Sequence, residues 1–257
     1  MGIVLTPPHI TELFTELAEV SKQSVVFDNC AGTGGFLISA MKKMVINAQN
    51  DKQAIKRIKS KQLIGIEDQS NVYALLISNL FIHQDGKTNI VPGNCFDEEN
   101  INFVKKFKPN VGLLNPPYKS DKKDDIEELD FVLNNLECLE PNSLCIGLLP
   151  MQSSISTDGE ILQLKKKILE NHTLKAVLSL PDQLFHGSAN VVSCAMVFIA
   201  HKPHNFQKNV FFGYFKDDGF EIKKKFHGRA DCYNKWQDIK KKWLDLYLNE
   251  KIDKKLS

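Results

Sequence analysis

Long apolar runs are missing from this 257-residue chain. None approaches the roughly 20 residues that a membrane-spanning helix needs, and no charged-then-apolar leader opens the sequence. The six cysteines (Cys30, Cys95, Cys138, Cys145, Cys194, Cys232) contain no Cys-x-x-Cys pair. That argues against a zinc ribbon or a disulfide framework and suits reduced, buried thiols in a cytoplasmic protein. Histidines are few; His201 and His204 lie close, but Pro203 separates them and no third ligand is near, so no metal site is expected. Net charge is only +2, so the whole chain lacks the basic excess that announces nucleic acid. Lysines do gather late: residues 216–257 hold twelve Lys and Arg against eight Asp and Glu.

What is present centres on Val111-Gly112-Leu113-Leu114 followed by Asn115-Pro116-Pro117-Tyr118. The apolar run breaks at two prolines, so a strand is expected to end at Leu114. The prolines fix φ and carry no N–H. The residue ahead of a proline is held extended, so Asn115 sits on a stiff loop. Asn115 offers an amide, Pro116 a carbonyl and Tyr118 an aromatic face. Two acceptors and a ring suit a planar amine; the exocyclic amine of adenine and a glutamine side-chain amide both fit. For the tetrapeptide alone, a proline-rich turn with a packed tyrosine is an equal alternative.

A second stretch runs Ser24-Val25-Val26-Phe27, then Asp28-Asn29-Cys30-Ala31-Gly32-Thr33-Gly34-Gly35, then a helix from Phe36 to Val45. This is strand, glycine turn, helix. The third glycine of the dinucleotide fingerprint is absent, because Leu37 occupies its place, and a pyrophosphate is disfavoured. The turn still admits a ligand to the backbone, and the helix N-terminus favours a carboxylate. Tight turns also use Gly-x-Gly for packing alone. Leu63-Ile64-Gly65-Ile66-Glu67 reads as a second strand ending on an acid, the residue type that accepts hydrogen bonds from a ribose diol. It comes later than the usual spacing of about 20 residues, because the basic stretch 50–62, read as a solvated helix face or loop, intervenes.

Further along, a helix is expected over 70–83 and a third strand at Asn89-Ile90-Val91, leading into Gly93-Asn94-Cys95-Phe96. Residues 119–130 are strongly charged and read as a mobile loop entering a helix through Leu139. Strand 144–149, helix 160–171 and strands 174–180 and 191–200 follow; the last two, joined without a helix, suggest an antiparallel pair. At the start, Thr6 reads as an N-cap with Pro7 at the first helical position. Near the end, Trp236, Ile239, Trp243, Leu246 and Tyr247 share one helical face, either docked on its own fold or awaiting a partner. Strand–helix alternation predicts an α/β, Rossmann-like fold. Its sheet is expected to be mostly parallel and seven-stranded, with an antiparallel strand near one edge and helices on both faces. Ligands of such sheets sit at the carboxyl ends of the strands. Asp28, Gly32, Gly34, Glu67, Asn94 and Asn115 all fall just after predicted strands and are expected to converge on one crevice.

These motifs together resemble class I S-adenosylmethionine-dependent methyltransferases, and more narrowly the DNA methyltransferases that modify adenine at N6. The segments Thr6-Pro7-Pro8-His9-Ile10 and Leu180-Pro181-x-x-Leu184-Phe185 make the chain similar to the modification subunit of type I restriction–modification systems. The resemblance covers most of residues 1–202. It implies a catalytic domain over 1–215, with 216–257 as a basic helical extension. It implies catalytic roles for Asn115, Pro116, Pro117 and Tyr118, and S-adenosylmethionine held by Thr6, Pro7, Asp28, Ala31, Gly32, Thr33, Gly34, Glu67, Asn94 and Cys95. Phe185 is a candidate for the target-base pocket. Implied partners are DNA bearing an adenine target, a specificity subunit and further modification or restriction subunits, with no membrane and no metal. Two departures stand out: Asn29 where the family commonly has Pro, and Asn94 where it often has Asp. The family also carries a helical region ahead of the Thr-Pro-Pro segment, so this chain is expected to be a trimmed piece or a shortened homologue. Two rival readings are an N5-glutamine protein methyltransferase and a cofactor-binding assembly module that is inactive without partner subunits.

Overall fold

A computed structural model describes residues 5–83, 89–119, 126–186, 191–223 and 228–256. Residues 120–125, the middle of the expected mobile loop, lie outside them. Helix α1 (Pro8–Leu17) precedes the sheet. Strands β1 (Val26–Asp28), β2 (Leu63–Glu67), β3 (Asn89–Pro92), β4 (Val111–Leu114) and β5 (Leu144–Pro150) then alternate with helices. The helices are α2 (Gly35–Asn47), α3 (Lys52–Lys61), α4 (Ser70–Ile82), α5 (Glu98–Lys105) and α6 (Glu128–Cys138). After them come α7 (Met151–Ile155), α8 (Gly159–Asn171), β6 (Thr173–Ser179), β7 (Ser193–Ile199) and β8 (Phe211–Tyr214). The chain closes with the pair β9 (Glu221–Lys223) and β10 (Gly228–Ala230), and with α9 (Trp236–Leu248).

Among the described residues the main sheet has the order β3-β2-β1-β4-β5-β7-β6-β8. Strands β1 to β5 pair in parallel. Strand β7 runs antiparallel between β5 and β6. The expected parallel sheet with an antiparallel strand near one edge is present. It carries eight strands rather than seven, because β8 adds in parallel to β6. Every residue of β1, β2 and β4 is buried, as expected where helices cover both faces of a parallel sheet. Neighbouring residues alternate between the two sides of the pleat. Val26, Leu63 and Leu113 join a core with Leu13, Phe14, Leu37 and Met44. Phe27, Ile64 and Leu114 join a second core with Leu133 and Leu136 of α6. Each such side chain contributes roughly 1.5–3 kcal/mol relative to an exposed one.

One local expectation changes. Helix α1 starts at Pro8, its N-cap is Pro7, and no side chain caps it. Thr6 therefore lies outside the helix, and its hydroxyl is used elsewhere. Of the two readings of the tryptophan face of α9, the structure bears out the docked one: Trp236, Trp243 and Tyr247 are buried in the first core. Trp243 stacks on Phe215 at 4.7 Å. The basic stretch 52–61 is a helix capped by Asp51, whose carboxylate accepts from the Gln53 and Ala54 N–H groups.

Candidate active site

Because β1 to β4 run in parallel, their carboxyl ends open on the same side. There they enclose a cavity of about 380 Å³. Asn29, Cys30 and Gly32 line it from the first loop, and Glu67, Asp68 and Gln69 from the second. Gly93, Asn94, Cys95 and Phe96 line it from the third, and Asn115, Pro116, Pro117 and Tyr118 from the fourth. Thus Gly32, Glu67, Asn94, Cys95 and the whole Asn-Pro-Pro-Tyr loop come together as anticipated.

The loops are cross-braced by their own hydrogen bonds. Ala31 N–H donates to Ile66 O at 2.9 Å, and Gly34 N–H to Ala31 O at 2.8 Å. Gly34 takes φ 87°, and a Cβ there would lie 2.7 Å from Leu76 Cδ1, so only glycine suits this close turn. Asn79 Nδ2 donates to Thr33 O at 3.0 Å. Glu67 spans two loops: Oε2 accepts the Gly32 N–H at 2.8 Å and Oε1 the Gln69 N–H at 2.9 Å. Each carboxylate oxygen keeps a second lone pair for a ligand. Burial raises the Glu67 pKa, while the Gln69 and Gly32 N–H groups oppose the rise. Asn94 Oδ1 accepts the Phe96 N–H at 2.9 Å, so this side chain closes its own turn.

Asp28 lies under the cavity floor, 1% exposed. Its Oδ1 accepts the Cys30 N–H at 3.0 Å. Burial pushes its pKa up to about 8, opposed by that N–H and assisted by Glu67. Burial also pushes up the Cys30 thiol, with Cys95 alongside.

Beneath the cavity runs a side-chain network that the sequence did not announce. Asn29 Nδ2 donates to Phe131 O and to Asn134 Oδ1, both at 2.8 Å. Asn135 Nδ2 donates to Asn29 Oδ1 at 3.2 Å, and Asn134 Nδ2 to Cys95 O at 3.0 Å. Helix α6 thereby ties the first loop to the third. Asn29, the departure from the family pattern, is a member of this network.

Thr6 and Pro7 do not line the cavity. Instead Thr6 Oγ1 accepts from Asn115 Nδ2 at 3.0 Å. Ala31, Thr33 and Gly34 shape the first loop from behind. Phe185 is 3% exposed and meets Tyr118 edge-on, with ring centroids 6.0 Å apart and planes at 73°. It lines a separate cavity of about 200 Å³ with Pro7, Pro8 and His9. Burial raises the Tyr118 phenol above its ordinary range.

The family model described as N-6 DNA Methylase matches residues 1–254. The chain belongs to this N-6 DNA methylase family. Among its curated relatives is the type II restriction enzyme and methyltransferase RM.BcgI of Heyndrickxia coagulans. That protein is 37% identical over 227 residues, covering 87% of this chain and 35% of the relative. The methylase subunit of the type I restriction enzyme EcoEI of Escherichia coli is 22% identical over 215 residues, covering 79% of this chain and 43% of that one. The fold is shared with a type I restriction–modification methyltransferase subunit of Streptococcus thermophilus. There the TM-score is 0.71 at 18% identity, over 99% of this chain and 55% of that one. The chain thus spans less than half the length of these curated relatives.

In this member of the family the sequence left part of the lining unread. Phe96 directly follows the third strand's Gly-Asn-Cys, and that position was a usable signal. Phe131 comes from α6 and meets Phe96 at 5.0 Å; only the fold brings it there. With Ile66 and Val72 these rings form an apolar wall. A larger cavity, about 620 Å³, lies among Met151, Ile168, Phe198 and Phe212. It touches none of the motif loops, so chemistry rather than size selects the candidate site. Among the described residues no group of three or more His, Cys, Asp or Glu could hold a metal ion, and no helix is long and apolar enough to cross a membrane.

Proposed function

We propose that this chain is the catalytic portion of a restriction–modification methylase that transfers a methyl group from S-adenosylmethionine to the N6 amine of adenine in DNA. The observation carrying this reading is that Asn115-Pro116-Pro117-Tyr118 forms one wall of a cavity whose other walls include Gly32 and Glu67. The cavity suits the cofactor. Glu67 keeps acceptor capacity for a ribose diol, Phe96, Phe131, Ile66 and Val72 offer an apolar slot for a purine ring, and Asp28 adds acidity beneath a cationic methionine end. When bound, S-adenosylmethionine supplies an electrophilic methyl on a sulfonium.

The chain's residues then have one main task. The amine lone pair of adenine is delocalised into its ring and is a poor nucleophile. Asn115 Oδ1 and the Pro116 carbonyl accept the two amine hydrogens and localise the lone pair. They also favour the positive charge that develops on the nitrogen, a preorganised electrostatic effect. Asparagine does not act as a base near neutral pH, so the proton leaves after the methyl arrives. Tyr118 presents its ring to the base. The adenine reaches the pocket only when flipped from the duplex, which costs a few kcal/mol. That relatives are methylase subunits of type I restriction enzymes supports work alongside further subunits; on the present reading these are a specificity subunit that chooses the DNA sequence and additional modification or restriction subunits.

The test is transfer of labelled methyl to a duplex oligonucleotide containing adenine, with the specificity subunit supplied, and to a glutamine-containing peptide in parallel. Adenine labelling that drops at least about a hundredfold in Asn115→Ala, the order seen when one oxyanion-type contact is removed, supports the reading. Methyl on the peptide and not on adenine overturns it.

A further inference from the structure

The segment that reaches Asn115 is anchored from the other end of the chain. Thr6 precedes Pro7 and Pro8, and their fixed φ leaves little freedom between Thr6 and the first turn of α1. Where that turn sits therefore decides where Thr6 Oγ1 sits. The turn is held through His9. Its ring stacks on Phe220 at 3.9 Å and 16° and meets Trp236 edge-on at 5.0 Å. His9 Nε2 lies 3.1 Å from Asp218 Oδ2. Arg229 of β10 grips the same carboxylate with both terminal nitrogens, at 2.8 and 2.6 Å, and reaches Phe220 O at 3.0 Å. The Asp218 and Arg229 side chains are 2% and 11% exposed. One turn further along, Lys240 of α9 pairs with Glu12 of α1.

We propose that His9, Asp218 and Arg229 are positioning residues for methyl transfer: through the first turn of α1 they place Thr6, and Thr6 sets the rotation of the Asn115 amide. The proposal rests on the reading that Asn115 presents its amide oxygen to the methyl acceptor. An amide is planar, with nitrogen and oxygen on opposite edges. Holding Nδ2 on Thr6 directs Oδ1 to the other edge. The sequence separation argues for a specific purpose: residues 9 and 218 lie 209 positions apart in the chain, and their contact delivers its geometry to the one side chain that faces the reacting amine. Stability alone does not require the cluster. Ile10, Leu13 and Phe14 of α1 are fully buried, and the desolvation of a buried ion pair largely offsets its attraction. What such a pair adds is direction, because the bidentate fork of Arg229 fits only one placement of the carboxylate.

The experiment follows the Asn115 side-chain amide by nitrogen-15 NMR and measures methyl transfer in the same proteins. The variants are Thr6→Val, Arg229→Met and the double variant Asp218→Asn/Arg229→Met, which removes both charges and keeps the fold from carrying an unpaired one. In the wild type the Asn115 Nδ2 protons are expected to exchange slowly. In all three variants exchange speeds up at least tenfold. Where adenine is methylated, kcat falls at least tenfold while KM for S-adenosylmethionine stays within twofold, and Arg229→Lys restores less than half of the loss. A folded double variant with wild-type amide exchange and wild-type kcat overturns the proposal, as does a fall in cofactor affinity with kcat unchanged. A wild type that protects the Asn115 amide yet methylates only peptide sinks the adenine reading and leaves the positioning standing, so the two failures are distinguishable.

Discussion

Asp28 shows how a single buried carboxyl couples folding to ligand charge. Its pKa of about 8 exceeds the ordinary value of 3.8, so between these limits the folded chain holds a proton that the unfolded chain has released. Stability then falls as pH rises through that window, since the unfolded state binds fewer protons. Asp28→Asn removes the dependence. Its urea midpoint is expected to gain on the wild type steadily from pH 5 to pH 8 and to level off above. Under the proposed function the same group has a second signature. A cationic cofactor above Asp28 favours the carboxylate, so binding near pH 7 releases a proton. Calorimetric titration in two buffers of different ionisation enthalpy should show that release in the wild type and none in Asp28→Asn. Equal heats in both buffers for the wild type would show that no proton moves. The residues at the strand ends were legible because short apolar runs gave the strands and the motifs followed them directly. The Asn29 network was not, because its partners stand 102 to 106 residues away and an asparagine inside a helix looks like any polar surface residue.

At the scale of elements, β4 and α6 meet at Gly112. A Cβ on this glycine would lie 2.0 Å from Asn135 Oδ1 and 3.1 Å from Leu139 Cδ1. The strand must approach the helix closely so that Asn135 can reach Asn29. Gly112→Ala is expected to cost about 1–3 kcal/mol, the range for overpacking a filled core. It should also weaken cofactor binding by displacing the Asn29 loop, although Gly112 touches no ligand. Denaturant unfolding and cofactor titration check both parts, and unchanged values in both would mean that the helix shifts freely. The parallel half of the sheet was readable from alternating strand and helix patterns. Strand β8 was not: Phe211-Phe212-Gly213-Tyr214 is short, and Phe212 and Tyr214 remain 63% and 58% exposed, so no alternation of buried and polar positions marks it. Helix α5 carried a readable spacing in Ile101 and Val104, and its acidic first turn was the available signal. The α9 face left two readings open because the apolar stripe of a docked helix and that of an unpartnered one look alike in sequence; only the buried stack of Trp243 on Phe215 decides between them.

For the whole molecule, the two ends of the chain share one core. Trp236, Trp243 and Tyr247 of α9 pack in the same cluster as Ile10, Leu13 and Phe14 of α1, while Asp218 and Arg229 fasten His9. Residues 216–257 should therefore unfold together with the sheet. The protein offers a direct measure of this, because its two tryptophans both lie in α9. Tryptophan fluorescence reports the C-terminal element, and far-UV circular dichroism reports the helices throughout. The two are expected to trace one coincident transition in urea, the mark of two-state behaviour. Trp243→Ala should cost about 3–5 kcal/mol, a large share of the roughly 5–15 kcal/mol that holds a domain folded. It should move both signals to lower urea equally. Saturation with S-adenosylmethionine at a hundred times its dissociation constant should add about 2.7 kcal/mol and move both signals the other way, even though α9 contributes nothing to the cavity lining. A fluorescence transition that precedes the loss of circular dichroism, or that ignores the cofactor, would mean that α9 opens on its own. The anchoring of α1 from the C-terminal end would then fail with it.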